Sequence, residues 1–306
     1  MTPGGIILRG KGAFMKKLYS NKRMIFSLVL PGLLVFIFAI LAPICLSVYY
    51  GFTDYSGMGQ ATFIGMENYK TLLHDKSFGR ALLNSLLLAI GFICIQHPIA
   101  IVVAAVLDKL SGKAEGFFRC VYFIPNVISV AVIAYLWKFI YNPDFGLLNN
   151  VLKVFGYQGK INWFSADNAI WSVLIVLIWH GFGWGMLIYY TGIKNIDPVL
   201  YEAAAMDGLH NRWQELWFIT LPMMKPQLMF SAVMSITSSF GVGPVITALC
   251  GYPTTDYAAH TVMNHLTDYG TIRFEMGYAS AIAVFLFFMM VGTNLLIKHF
   301  LSRVGE

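Results

Sequence analysis

Residues 202–208 read EAAAMDG: one carboxylate, Glu202, is followed by Ala203, Ala204 and Ala205, and Asp207 and Gly208 close the stretch. The second carboxylate, Asp207, is five residues on and about 140° round a helix from Glu202, so the two do not pair for acid–base work. Glu202 can instead make a charge-assisted hydrogen bond to a basic residue of another protein, and the small side chains beside it allow that protein to come close. The flanking residues supply the helix. Asp197 is a favourable N-cap and Pro198 suits the first helical position, the alanines propagate the turn at little entropic cost, and Gly208 is a natural stop. The spacing predicts a short helix over 199–207 with Gly208 left-handed. Beyond it, Asn211 and Gln214 have the spacing of a capping box for a second helix, with Pro222 near its end. An ordinary amphipathic loop would explain the helices alone; the small-residue surface beside Glu202 suits docking with another protein.

Other arrangements that could do chemistry are weaker. Gly5, Gly10 and Lys11 mimic a phosphate-binding loop, but Gly12 stands where Ser or Thr must hold magnesium. ATP binding by this chain is therefore not expected, nor is any cofactor. His260 and His265 share a segment without a third ligand at useful spacing, so no metal site is expected. No nucleophile–base arrangement stands out, and the chain does not read as an enzyme. Cys45, Cys94, Cys120 and Cys250 have neither disulfide nor zinc spacing and read as small apolar side chains.

The elements that must position the docking stretch are apolar. Of 306 residues 58% are hydrophobic and only 12% charged, about half the charge of a soluble domain. Six runs are long enough to cross a hydrocarbon core about 30 Å thick: Met24–Tyr50, Ala81–Leu107, Cys120–Trp137, Ala169–Thr191, Gln227–Cys250 and Met276–Ile297. The expected fold is an all-α membrane protein with six transmembrane helices. The first run follows Lys16, Lys17, Lys22 and Arg23 but is too long for a cleaved signal and reads as an anchor. With the amino terminus inside, segments 1–23, 108–119, 192–226 and 298–306 hold 14 of the 21 Lys and Arg. That bias places both termini, and residues 194–222, in the cytoplasm. The net charge of +6 is spread over these segments, which argues against a nucleic-acid surface. The organisation is thus a tail (1–23), a membrane domain (24–300) with a cytoplasmic loop (194–222), and a second tail (301–306). Trp137, Tyr141, Trp163, Tyr252 and Tyr257 fall where an interfacial aromatic belt is expected.

Two runs look irregular. The fourth contains WHGFGWGM, in which Gly181, Gly183 and Gly185 suit either close helix packing, through the GxxxG pair 181/185, or a bent backbone lining a cavity. The fifth has Ser235, Thr237, Ser238 and Ser239 ahead of Gly241, Gly243 and Pro244, which favours a break beside a cavity. Pro98 interrupts the second run. His97 and His180 are the ionisable side chains inside the runs, and no Asp, Glu, Lys or Arg falls there. Ion-driven transporters usually need such groups, so an ion-coupled secondary transporter, like a membrane enzyme, is the lesser reading.

EAAAMDG with the later ITLP resembles the EAA motif of the membrane-spanning permease subunits of binding-protein-dependent ABC importers. The resemblance implies a type I importer fold and a coupling helix that enters a cleft of an ATPase subunit. Glu202, Ala203, Ala204, Asp207 and Gly208 would do the docking. One residue more than the family spacing separates Gly208 from Ile219. FIGMENYKTLL and YFIPNVISVAVIAYLWKFIYNPDFGLLN resemble the carbohydrate subgroup, nearest a maltose-permease first subunit without its large outer domain. Trp179, His180, Gly181 and Trp184, with Ser235 and Ser238, would then line a sugar site, rings stacking on C–H faces and hydroxyls fixing orientation. The implied partners are a second permease subunit, two ATP-binding cassette ATPases, an extracytoplasmic solute-binding protein, a sugar or oligosaccharide and membrane lipid, in a bacterial cell membrane. Another small polar solute, such as a glycerol phosphate, is the alternative cargo.

Overall fold

Apolar helices dominate the chain because lipid leaves no other way to satisfy the backbone. The computed structural model describes residues 22–302. The tail through residue 21, including the Gly5–Lys11 mimic, and residues 303–306 lie outside the described residues. The first span joins α1 (Lys22–Phe36) to α2 (Ala42–Tyr50) through a π-helical turn at Ile37–Leu41. A short α3 (Glu67–His74) leads to the second span, α4 (Lys76–Gly91) and α5 (His97–Asp108), again joined by a π turn, Phe92–Gln96. That wider turn precedes Pro98 and absorbs its missing N–H, so the expected interruption is a local widening, not a break. Next come α6 (Lys113–Val127), α7 (Val130–Ile140), α8 (Leu147–Val154) and the unbroken α9 (Ala169–Lys194). The loop at 195–224 holds α10 (Pro198–Met206), α11 (Arg212–Glu215) and α12 (Leu221–Met223). Then follow α13 (Lys225–Phe240), α14 (Gly243–Cys250), α15 (Val262–Thr267) and α16 (Met276–Ser302).

Among the described residues four helical stretches are long and apolar enough to cross a membrane, and two bent pairs bring the total to six when each pair is counted as one span. One bent pair corrects the expectation of a straight span over Cys120–Trp137. α6 and α7 meet at 99°, with Ser129 extended at φ −64°, ψ 147°. Pro125 near the end of α6 removes a donor and crowds the preceding turn, so the helix stops two residues later, at Val127, and restarts at Val130. The other pair, α13 and α14, bends by 50° at the glycines where the sequence predicts a break.

Packing centres on α9, which lies along α5 and α6, while α16 lies along α13 and α2. Leu88, Ile133, Val173, Val176 and Ile246 form a core toward the end that carries loops 51–75, 141–168 and 251–275. Ala100, Ala104, Met186, Tyr189 and Met224 form another toward the end that carries α10. Of the expected aromatic belt, Tyr141 is interior and the other four residues are half-buried. Tyr141 is buried, its hydroxyl donates to the Ser172 carbonyl at 3.0 Å, and Trp137 and Trp163 pack on its ring. All four cysteines are free.

Candidate functional site

The helix α10 is built as the residues dictate. The Asp197 carboxylate accepts from the Val199 N–H at 3.0 Å. At the other end Gly208 has φ +92°. The Gly208 N–H donates to the Ala205 carbonyl at 3.2 Å and the Leu209 N–H to the Ala204 carbonyl at 3.0 Å. This pair of bonds is the Schellman arrangement, which a left-handed residue makes possible. Glu202, Ala203, Asp207 and Gly208 are exposed and Ala204 is half-buried, so the face expected to dock stands clear of the chain. Asn211 caps the next helix, but its carboxamide accepts from the Trp213 N–H at 3.0 Å, not from Gln214. The extra residue of the turn lies ahead of a π turn, Leu216–Thr220, that carries the chain to Pro222.

The root of the loop is held by groups the motif does not reveal. Asp108 at the end of α5 pairs with Lys194 at the end of α9 at 2.9 Å and with Lys109 at 3.5 Å. Glu115 of α6 accepts from Tyr190 and pairs with Arg119 at 3.2 Å. Tyr201, beside Glu202, bonds through its hydroxyl to Thr220 at 3.0 Å. Single letters scattered over α5, α6, α9 and the loop carry this cluster, and spacing alone does not assemble them.

The side chains expected to line the transported solute's path are only partly brought together. Trp179 packs edge-on to Trp137, ring centroids 5.5 Å apart, within the loop-end core. Trp184 is half-buried and tilts against Phe230 of α13 at 6.1 Å. His180, one turn before it, is half-buried and has no hydrogen-bond partner among the described residues. Ser238 is exposed and Ser235 buried on α13. The glycines of α9 serve packing, without a break. A Cβ on Gly183 would lie 2.2 Å from the Tyr122 carbonyl oxygen of α6, whereas one on Gly185 would meet Ala100 and Ser231 at ordinary distance. The closest approach therefore sits between the two glycines of the expected pair. Beside the α13–α14 break the Asn264 carboxamide donates to the Gly243 carbonyl at 3.1 Å. Deeper in the bundle, the Tyr189 hydroxyl meets His97 Nδ1 at 2.5 Å, with Ser231 Oγ 3.5 Å from the same nitrogen.

At the opposite end Asp75 gathers three elements. It accepts from the Ser77 and Phe78 N–H groups of α4, from the Tyr278 hydroxyl of α16 at 3.0 Å, and faces His265 Nε2 of α15 at 3.1 Å. Burial would raise the Asp75 pKa, but these bonds and the histidine hold it below its ordinary value. Burial lowers His265, partly offset by Asp75, and pushes His260 down to about 4.

The described residues thus combine helices long and apolar enough to cross a membrane with a capped, glycine-stopped helix exposed at one end. The chain belongs to the binding-protein-dependent transport system inner membrane component family, whose pattern matches residues 96–306. It is 35% identical over 290 residues, 94% of this chain and 98% of the other, to the probable ABC transporter permease protein YurN of Bacillus subtilis. It is 27% identical to AmyD of Thermoanaerobacterium thermosulfurigenes, a probable starch degradation products transport system permease protein, covering 95% of this chain and 97% of that one. In fold it is similar to a bacterial ABC transporter involved in the import of alginate, with TM-score 0.80, 23% identity, and coverage of 96% of this chain and 100% of that one. The type I importer fold, the permease class and the translocation role, as opposed to an enzymatic one, follow from this membership. The ion-coupled and membrane-enzyme readings fall with it.

Proposed function

We propose that this chain is one of two permease subunits of an ATP-driven importer that brings a sugar or oligosaccharide across a bacterial cell membrane. The observation that carries the reading is α10, a capped and sharply terminated helix on which Glu202, Ala203, Asp207 and Gly208 are left exposed by the described residues. Two ATPase subunits would dock there from the cytoplasm, Glu202 bonding to a basic residue in the cleft while Ala203, Ala204, Asp207 and Gly208 set the fit. A solute-binding protein would deliver its load at the end carrying loops 51–75, 141–168 and 251–275. Relatives named for starch products, for multiple sugars and for arabinooligosaccharides support carbohydrate as the cargo class. His180, Gly181 and Trp184 of α9 with Ser238 of α13 would contact it. Trp184 offers a ring for stacking, and His180 has an unsatisfied polar edge. Trp179, packed in the core, would support that wall, as would the buried Ser235.

The test is purification of the tagged chain from gently solubilised membranes, with uptake of labelled oligosaccharides by cells with and without it. Co-purification of ATPase and second-permease subunits, and sugar uptake that depends on the chain, are expected. Uptake of a glycerol phosphate in place of any sugar would move the cargo to the alternative class.

A further inference from the structure

The helix that would receive force from the ATPases has no extended packing against any span among the described elements. Its outer residues are exposed, Val199 at 62% and Met206 at 84%. A helix held only by its two chain ends would move without moving the bundle. One side chain prevents that. Tyr201 turns inward and packs on the core formed by Ala104, Leu107 and Ile193. Its hydroxyl lies 3.0 Å from Thr220 Oγ1, and Thr220 in turn donates to the Glu215 carbonyl at 3.3 Å. Thr220 is buried and leads within four residues to the fully buried Met224, where α13 begins. On the other face of the ring, Lys109 Nζ stands 6.0 Å from the centroid and reaches Lys194 through the shared Asp108.

We infer that Tyr201 is the positioning residue through which movement of α10 reaches the spans: toward α13 through Thr220, and toward α5 and α9 through Lys109, Asp108 and Lys194. The inference rests on the coupling role proposed for α10. Tyr201 touches neither nucleotide nor cargo; it acts by making the exposed helix and the ends of three spans one rigid body. A rigid link transmits a displacement of the helix, whereas a slack one lets ATP be spent without rearranging the bundle. Tyr201 is next to Glu202 in the chain, so the docking contact and its anchor occupy adjacent positions about 100° apart on one helical turn, one half-buried and the other exposed.

The experiment uses the complete transporter in proteoliposomes, with uptake and ATP hydrolysis measured on the same preparation. Tyr201→Phe removes only the hydroxyl bond, Thr220→Val removes its partner, and Tyr201→Ala removes the ring as well. All three are expected to retain the ATPase subunits on purification. Uptake per ATP should fall about fivefold in Tyr201→Phe and in Thr220→Val, the factor that the net worth of one hydrogen bond, about 1 kcal/mol, corresponds to. The double variant should be no worse than either single one, because both remove the same bond, and Tyr201→Ala should fall further. A purely structural defect would lower uptake and hydrolysis together with the amount of assembled transporter, leaving their ratio unchanged, and would overturn the assignment. So would a wild-type ratio in Tyr201→Ala when Glu202→Lys abolishes uptake. Full uptake in Glu202→Lys would instead remove the coupling role of α10, and the link would fall with it.

Discussion

Two glycines do opposite work, and each gives a different prediction. Gly208 has open space around its α-carbon but a φ of +92°. The cost of Gly208→Val is therefore backbone strain, roughly 1–2 kcal/mol, confined to an exposed loop. Gly183 has an ordinary backbone but lies against α6, with the Tyr122 carbonyl 2.2 Å from any added Cβ. Gly183→Ala should force α6 and α9 apart at a cost of about 1–3 kcal/mol, read as a lower melting temperature of the purified protein. Gly185→Ala, which meets its neighbours at 3.6 Å or more, should cost much less. Equal melting temperatures for the two variants would contradict the assignment of Gly183 as the tight contact. For the solute path, Trp184→Ala should reduce sugar uptake without changing subunit assembly, through lost stacking surface; unchanged uptake over a full concentration range would take Trp184 out of the site.

At the scale of elements, the sequence discloses those whose local chemistry is self-sufficient. The N-cap Asp197, the alanine run and Gly208 are all within a dozen residues, and α10 is where they put it. The α13–α14 break is equally visible in Gly241, Gly243 and Pro244. The α6–α7 bend was hidden because Asn126 and Ser129 are the only polar residues after Pro125 in a stretch that otherwise reads as one long apolar run. The fourth span was left open between packing and a bend: its glycines weaken an isolated helix, but they pack closely against neighbouring spans and the helix is unbroken. Contacts between distant segments, such as Asp75 with His265 and Tyr278, left no local pattern. That cluster has its own consequence. When α15 is released from the bundle, His260 and His265 take up protons near the ordinary value of about 6.5, whereas in place His260 does so only near 4. A lowered folded value means that stability is full above the ordinary histidine value and is lost as pH falls through it toward 4. The opposing groups, Asp75, Asp268 and Arg273, are already bonded to His265, Tyr278 or each other. Hydrogen exchange, corrected for intrinsic rates, should show protection of segment 254–272 falling between pH 7 and about 5. Protection independent of pH in that range would show that the histidines are not sealed.

On the scale of the whole molecule, the account needs α10 and the loops at the opposite end to face different compartments. In a chain whose native cysteines are replaced by serine, single cysteines at Met58, Gln158 and Asp256, all exposed, should react with an impermeant reagent from outside the cell. Cysteines at Lys113 and His210, exposed at the other end, should react only after permeabilisation. The reverse pattern would invert the molecule. Up to six spans among the described residues and an acid on a capped helix are separately ordinary, and together they support the proposal of a subunit that moves a solute but draws its energy from a neighbour. The most direct measurement of that claim is uptake and substrate-stimulated ATP hydrolysis by the assembled transporter carrying Glu202→Lys or Gly208→Val. Both residues are exposed, so both variants should insert and accumulate at normal levels. The account predicts that uptake and stimulated hydrolysis are lost together in each; wild-type uptake in both would contradict it.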